Sequence, residues 1–344
     1  LVREPGMQSL LVDFGRERSR ALGVPVGGAA DRAALALGNA LVGNPPGAVA
    51  LEVTLVGPTL EAVHPTACAL FGAPFQLAVS GRPVSAGATF QLEPGDVLRV
   101  GGTPTGARAY LCAAGGFEAP EVLGSRSALE PLRAGDVLRC AVSRGEPRAL
   151  PFARAEEPLP PTPSPKKGGG ASTSAGRGAR LSADAARECL SPSLLRGGVG
   201  EGFFSLRALD GPQRDWFTDD RFFAQTYAVL PASNRMGVRL AGEPLARRPG
   251  ELVSEAVAPG AVQVTNDGLP IVLGVDGQTI GGYPKVAHVI RAALDRLARL
   301  RPGDRVRFVR VTPAEAEAAA GARAAFLREW LTRLRVAERR PVVG

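Results

Sequence analysis

The chain has 344 residues, 45% of them hydrophobic and only 5% aromatic, with 43 glycines and 30 prolines. That density of turn-formers excludes a long helical bundle, and the length accommodates two domains with separate cores. The formal net charge of +8 is spread along the chain, not gathered into a basic stripe with interleaved aromatics, which argues against a nucleic-acid partner.

Residues 1–150 read as short strands at Ala48–Leu55, Cys68–Leu70, Phe75–Val79, Val97–Val100, Ala109–Ala113 and Val137–Ala141, with Gly or Pro at nearly every junction. One helix interrupts them. Asp31 precedes R-A-A-L-A-L-G-N-A-L-V, where apolar side chains fall at helical spacing, and Gly43 follows as a stop. A Gly-Asp turn feeding an alternating strand recurs as P-G-D-V-L-R-V from Pro94, A-G-D-V-L-R-C from Ala134 and P-G-D-R-V-R-F from Pro302. The recurrence suggests two β-rich halves of shared architecture.

Residues 151–204 form the boundary. Glu156–Gly178 is rich in Pro, Gly and Ser and reads as a linker or insertion, followed by a short helix at Ala183–Cys189. The second half, 205–312, returns to strands and turns, with a helical pattern over Lys285–Leu300. Residues 313–344 form a C-terminal helical extension, capped by Thr312 and with acids preceding arginines.

Four separated cysteines include no C-x-x-C pair, so Cys68, Cys112 and Cys140 read as reduced core residues, and the only histidines are His64 and His288. These numbers make a disulfide framework, a metal centre or a Ser/His/Asp triad a poor fit. No apolar run is long enough to span a bilayer, and charges crowd the first 20 residues, so the chain reads as cytoplasmic, with no membrane partner. A phosphate-binding G-x-x-x-x-G-K-[ST] and a biotin attachment motif are both missing from the sequence.

Two constellations stand out. The first runs from Asp13 to Asn44 and interleaves Asp13, Arg16, Asp31, Asn39 and Asn44 with glycines. Arg16 can offer a fork to an anion or pair with Asp13; Asp31 and Asn44 can face a ligand or cap and turn the chain. The second runs from Asn266, where a strand I-V-L-G-V delivers Asp276, Gln278 and Thr279 to Gly281-Gly282, then Tyr283 and Lys285. Lys285 is the only lysine outside the linker, and lysine can change protonation state where arginine cannot. Polar groups at a strand end are either a site or a structural turn.

The series D-F-G-R, G-V-P-V-G-G-A-A-D-R-A-A-L, N-A-L-V-G-N-P, L-E-V-T-L-V-G-P, L-G-S-R-S, D-G-P-Q, N-R-M-G-V-R-L and P-I-V-L through G-G-Y-P-K resembles the biotin-dependent carboxyltransferase domain family. That family includes the C subunit of bacterial 5-oxoprolinase, KipA, and proteins labelled allophanate hydrolase subunit 2. Departures from its pattern are Val12, Gly28, Gly38, Thr265-Asn266, Gly277 and the long insertion.

The resemblance implies a mainly β fold of two cyclophilin-like barrel halves, here with a C-terminal helix. It implies two partners, a KipI-like B-type subunit of the complex and a lactam-hydrolase A-type subunit. The implied activity opens 5-oxo-L-proline to L-glutamate with ATP, whose site would be shared with those partners, and biotin is not attached to this chain. The alternatives are a KipA-like protein that sequesters a kinase inhibitor, or the carboxyltransferase component of a urea pathway. Asp31, Lys285 and Asp276 are the catalytic candidates. Arg16, Asn44, Gln278, Thr279, Tyr283 and Arg235 are the substrate-binding candidates. Asp31, Arg16 and Asn44 of the first constellation are expected to converge with Asp276, Gln278, Tyr283 and Lys285 of the second.

Overall fold

A computed structural model describes residues 1–144 and 203–337. The expected linker, the expected helix at Ala183–Cys189, and Cys189 itself lie outside the described residues.

The first half contains β1 (Val2–Glu4), β2 (Gln8–Val12), β3 (Ala50–Thr54), β4 (Thr59–Glu61), β5 (Thr66–Gly72), β6 (Leu77–Val79), β7 (Arg82–Pro83), β8 (Thr89–Leu92), β9 (Val97–Val100) and β10 (Arg108–Ala113). They form two five-stranded sheets, ordered β1-β4-β9-β6-β7 and β2-β3-β10-β5-β8. Leu51, Leu70, Leu98 and Leu111 from both sheets share one core. The expected first barrel is therefore a pair of facing sheets. Helix α1 (Arg32–Leu41) covers the other face of the second sheet, against Phe71, Tyr110 and Cys112. Buried on both faces, β5 and β10 carry nearly continuous apolar sequence. Gly38 lets α1 approach closely, since a methyl there would stand 2.9 Å from Cys112 Sγ.

The second half contains β11 (Phe203–Asp210), β12 (Thr226–Val229), β13 (Gly237–Ala241), β14 (Glu255–Ala256), β15 (Ala261–Val264), β16 (Pro270–Leu273), β17 (Ile280–Gly281), β18 (Lys285–Val289) and β19 (Arg305–Arg310). Seven of them close a barrel in the order β11-β18-β15-β16-β13-β12-β19, and β14 and β17 form a separate ribbon. Strand β19 shows why the chain curls: in R-V-R-F-V-R, Val306 and Phe308 enter the core while Arg305 and Arg307 face solvent.

The long helix α2 (Pro313–Ala337) starts with a reciprocal cap, Thr312 Oγ1 accepting from Glu315 N at 3.3 Å while Glu315 accepts from Thr312 N at 2.7 Å. Ala319 joins the second barrel's core, and Leu327, Trp330, Leu331 and Leu334 pack beside α1. The helix thus spans both halves.

Two local expectations are corrected. Lys285–Val289 is the buried strand β18, followed only by short helical turns at Arg291–Ala293 and Leu294–Leu297. An apolar run this short satisfies either period, and the gap between β11 and β15 selects strand. Val137–Ala141 forms no strand; Cys140 makes one isolated bridge to Phe117, with the Arg139 carbonyl accepting from Glu118 N. Among the described residues no helix is long and apolar enough to cross a membrane, and no cluster of metal-ligating side chains is present. Cys68 and Cys112 are free and buried, and burial pushes both thiols up.

Candidate functional site

Glu52 sits in the middle of β3, 1% exposed, where a lone carboxylate would be prohibitively costly. It accepts from Ala30 N at 2.9 Å and Tyr110 Oη at 2.8 Å, and it pairs with the guanidiniums of Arg235 and Arg108. Burial alone would raise its pKa, but Arg235 and Arg108 outweigh that and hold the carboxyl below the usual range. Arg235 reaches from the second half into the first. It donates to Asp276 Oδ2 at 2.6 Å, to Asp276 Oδ1 at 3.0 Å and to the Gly28 carbonyl at 2.7 Å. Burial disfavours its charge, yet Glu52 and Asp276 raise its pKa further.

More contacts join the halves around this cluster. Arg299 donates to Asp31 Oδ2 at 2.7 Å, Arg108 to the Ala298 carbonyl at 2.5 Å, and Arg301 to the Thr103 carbonyl at 2.9 Å. Asp295 accepts from Arg32 N at 3.0 Å and pairs with Arg323 of α2.

The loop 13–28 packs along 275–279. Gly27 N donates to the Val275 carbonyl at 2.9 Å. A methyl at Gly27 would stand 3.5 Å from Arg16 Nη1 and 3.9 Å from Asp276 Oδ1, and one at Gly23 would stand 4.0 Å from Thr279 Oγ1. Gly28, at φ +74°, leaves no room for a side chain, because Gly15 N would lie 2.5 Å from it.

Further along the same segment, Lys285 is buried and its ammonium pairs with Glu255 of β14. The hydrogen bond from Lys285 holds the Glu255 carboxyl below its ordinary range. Gln213 ties the pair together, donating to Glu255 Oε1 at 2.7 Å and accepting from Lys285 N at 3.1 Å. Gln263, the register partner of Lys285 on β15, accepts from Gln278 Nε2 at 3.4 Å. Gly211 must be glycine, because a methyl there would overlap the Lys285 carbonyl. The result is a buried ammonium held by the Glu255 carboxylate, with Gln213 bridging the two residues and Asp276 and Thr279 on the same segment.

The loop of the first constellation meets the second through Gly23 and Gly27 on one side and Val275, Asp276 and Thr279 on the other, while Asp31 and Asn44 bond elsewhere. Several individual candidates hold the wall instead of facing it. Arg16 donates to the Val122 and Ser127 carbonyls at 2.9 and 2.6 Å, so it neither pairs with Asp13 nor presents its fork. Asp13 accepts instead from Ser125, Ser127, Arg126 N and Gly15 N. Asn44 bonds to Asn39, the Ala113 carbonyl and Gly115 N, inside the first half. Asp31 caps α1 through Ala34 N at 2.9 Å and pairs with Arg299, so both carboxylate oxygens are occupied at 2% exposure. In this arrangement its oxygens serve the helix cap and the ion pair with Arg299. Arg235 is likewise fully engaged by protein. Lys285, Gln278, Thr279, Tyr283 and half-buried Asp276 remain on the site face, with Tyr283 39% exposed.

Sequence reading missed Glu52, Gln213, Glu255 and Gln263. The available signals were an acid inside the apolar strand A-L-E-V-T and a glutamine inside A-V-Q-V, each needing a partner if buried.

The family model described as carboxyltransferase domain, subdomain A and B, matches residues 22–310. The chain is similar to the C subunit of 5-oxoprolinase from Escherichia coli, 32% identical over 90% of this chain and 91% of that protein. It is also similar to the urea amidolyase of Lachancea kluyveri, 29% identical over 90% of this chain but only 17% of that protein. The solved urea carboxylase of Kluyveromyces lactis superposes with a TM-score of 0.76 at 27% identity, covering 96% of this chain and 29% of that one. With its two β units, the interface between them and the whole span 22–310 matching one description, the chain belongs to the carboxyltransferase domain family, subdomains A and B.

Proposed function

We propose that this chain is the C-type subunit of an ATP-dependent 5-oxoprolinase complex, which opens 5-oxo-L-proline to L-glutamate together with a KipI-like B-type partner and a lactam-hydrolase A-type partner. One observation carries this reading. The match to the 5-oxoprolinase protein of Escherichia coli runs nearly end to end in both chains, whereas the urea-acting relatives keep most of their length outside the matched part.

In this reading Lys285 is the charge-stabilising residue. Opening a lactam builds negative charge on the carbonyl oxygen, and the desolvated Lys285 ammonium meets that charge by exchanging its ion pair with the more exposed Glu255 carboxylate for the substrate. Asp276 presents a carboxylate on the same wall, oriented by Arg235 through two hydrogen bonds. Gln278, Thr279 and Tyr283 line the approach. ATP fits the described residues poorly: the buried guanidiniums of Arg16, Arg108 and Arg235 each donate to protein acceptors, which leaves no buried cradle among them for a triphosphate. Nucleotide binding is therefore assigned to the companion subunits.

The second reading is carboxyl transfer to urea, favoured by the likeness to urea carboxylase. The test is reconstitution with both companion subunits, scored by 5-oxoproline-dependent ADP release. The complex should turn over and the isolated chain should not. Lys285→Ala should lower turnover by about 10²-fold or more while the complex still assembles. A complex idle on 5-oxoproline, yet active in moving a carboxyl group from carboxybiotin to urea, would overturn the lactam reading in favour of the second.

A further inference from the structure

Gln263 is 2% exposed, and its Nε2 has no acceptor. A buried donor left unpaired costs about 1–3 kcal/mol, and such groups are rare enough to need a reason. Its Oε1 is held only by the 3.4 Å contact from Gln278, which is itself exposed. Arg108 Nε also makes no hydrogen bond, but it lies 3.5 Å from Glu52 Oε1, and a guanidinium offers donors alone. Gln263 offers a free donor and a loosely held acceptor on one amide.

Above it lies Gly281 of β17, where a methyl would come within 2.5 Å of Nε2 and 3.1 Å of Gln278 Nε2. Strand β17 is a thin cover, pairing through Ile280 and Gly281 with the two-residue β14, with one further backbone bond from Val257 N to the Thr279 carbonyl at 2.9 Å. Beside it stands Lys285.

A primary amide with an open N–H and C=O is one half of a cyclic double hydrogen bond. Its complement is an amide whose own N–H and C=O lie syn, as in a lactam, a cyclic ureide or urea; a trans secondary amide cannot close the ring. We infer that Gln263 is the residue that recognises a cis-amide edge: Nε2 donates to the ligand carbonyl, and the ligand N–H donates to Oε1 in place of Gln278, once β17 moves aside. Lys285 then supplies positive charge next to the recognised amide. This inference rests on the lactam reading for the identity of the ligand and goes beyond it in naming the edge that is read.

Binding to the full-length chain is measured by ligand-detected NMR for 5-oxo-L-proline, N-methyl-5-oxo-L-proline, 2-imidazolidinone and 1,3-dimethyl-2-imidazolidinone. N-methylation removes the donor and should weaken binding to the parent about tenfold or more. In Gln263→Leu the penalty should vanish, because its partner is gone; loss of general stability cannot produce that pattern. If Gln263→Leu fails to fold, Gln263→Glu takes its place: it keeps an acceptor, so the N-methyl penalty should persist while affinity for each unmethylated ligand drops.

Equal N-methyl penalties in parent and Gln263→Leu, no penalty in the parent, or no binding of either unmethylated probe would overturn the inference. Binding of 2-imidazolidinone with the expected coupling, but none of 5-oxoproline, would support Gln263 as the reader of a ureido edge and sink the lactam reading alone. Lactam turnover by the complex without any coupling at Gln263 would do the reverse.

Discussion

Arg235 and Glu52 are 183 residues apart in sequence and pair at the boundary between the halves, both nearly inaccessible to water. Removing Arg235 leaves Glu52 with Arg108 alone, so Arg235→Met should cost about 3–5 kcal/mol in urea unfolding, and lysine should not rescue it because one ammonium cannot reach Glu52, Asp276 and Gly28 together. The double variant Glu52→Gln/Arg235→Met should recover part of that loss, since no carboxylate is then stranded. The pH dependence has a definite sign. Glu52 is depressed in the folded state, so its contribution is complete above the ordinary carboxylate pKa and disappears as pH falls through the depressed value. Glu52→Gln should flatten that part of the acid limb, and an unchanged limb would show that other carboxylates govern it.

At the scale of elements, α1 and α2 follow from local signals. Asp31 accepts from Ala34 N, and Thr312 and Glu315 exchange hydrogen bonds at the start of α2. Asp31→Ala should cost about 1–2 kcal/mol from the lost cap, with Arg299 losing its carboxylate partner as well. Asp31→Asn keeps a capping acceptor, so the reconstituted complex should retain turnover within a few-fold of the parent. A complete loss of turnover in a stably folded Asp31→Asn complex would return Asp31 to the chemistry. Turns were as legible as caps: the Gly-Asp motifs at Pro94 and Pro302 feed β9 and β19, with Gly95 at φ +87° and Gly303 at φ +91°. The same motif at Ala134 has Gly135 at φ +90° but feeds no strand. A turn sets the direction of the chain, and a free sheet edge is still needed to make a strand.

For the whole molecule, the two halves are joined by a polar boundary and by α2, which packs Ala319 into the core of the second half and Leu334 beside α1 in the first. Ending the chain after Arg323 should uncover the face of α1 that meets Leu327, Trp330, Leu331 and Leu334. Those side chains together should make the loss several kcal/mol, read as a lower Tm and new dye-binding surface. By contrast, replacing 156–200 with a short Gly/Ser linker should leave the Tm almost unchanged, because that composition buries little apolar surface. A large fall would show that the segment packs.

The β-rich class and both long helices with their caps are legible in the amino-acid order. Each is encoded by neighbours: a period, a cap or a turn residue shows itself within a few positions. Long-range packing was needed to show that Lys285–Val289 is a strand, that Asp31 and Arg16 bond within the scaffold, that Glu52 is paired with Arg235, and that Gln213 and Glu255 are tied to Lys285. A short apolar run satisfies both helical and strand periods until a sheet edge selects one. The state of a polar side chain depends on partners brought from distant positions, and burial with those partners, not residue type, decides whether it binds, caps or waits for a ligand.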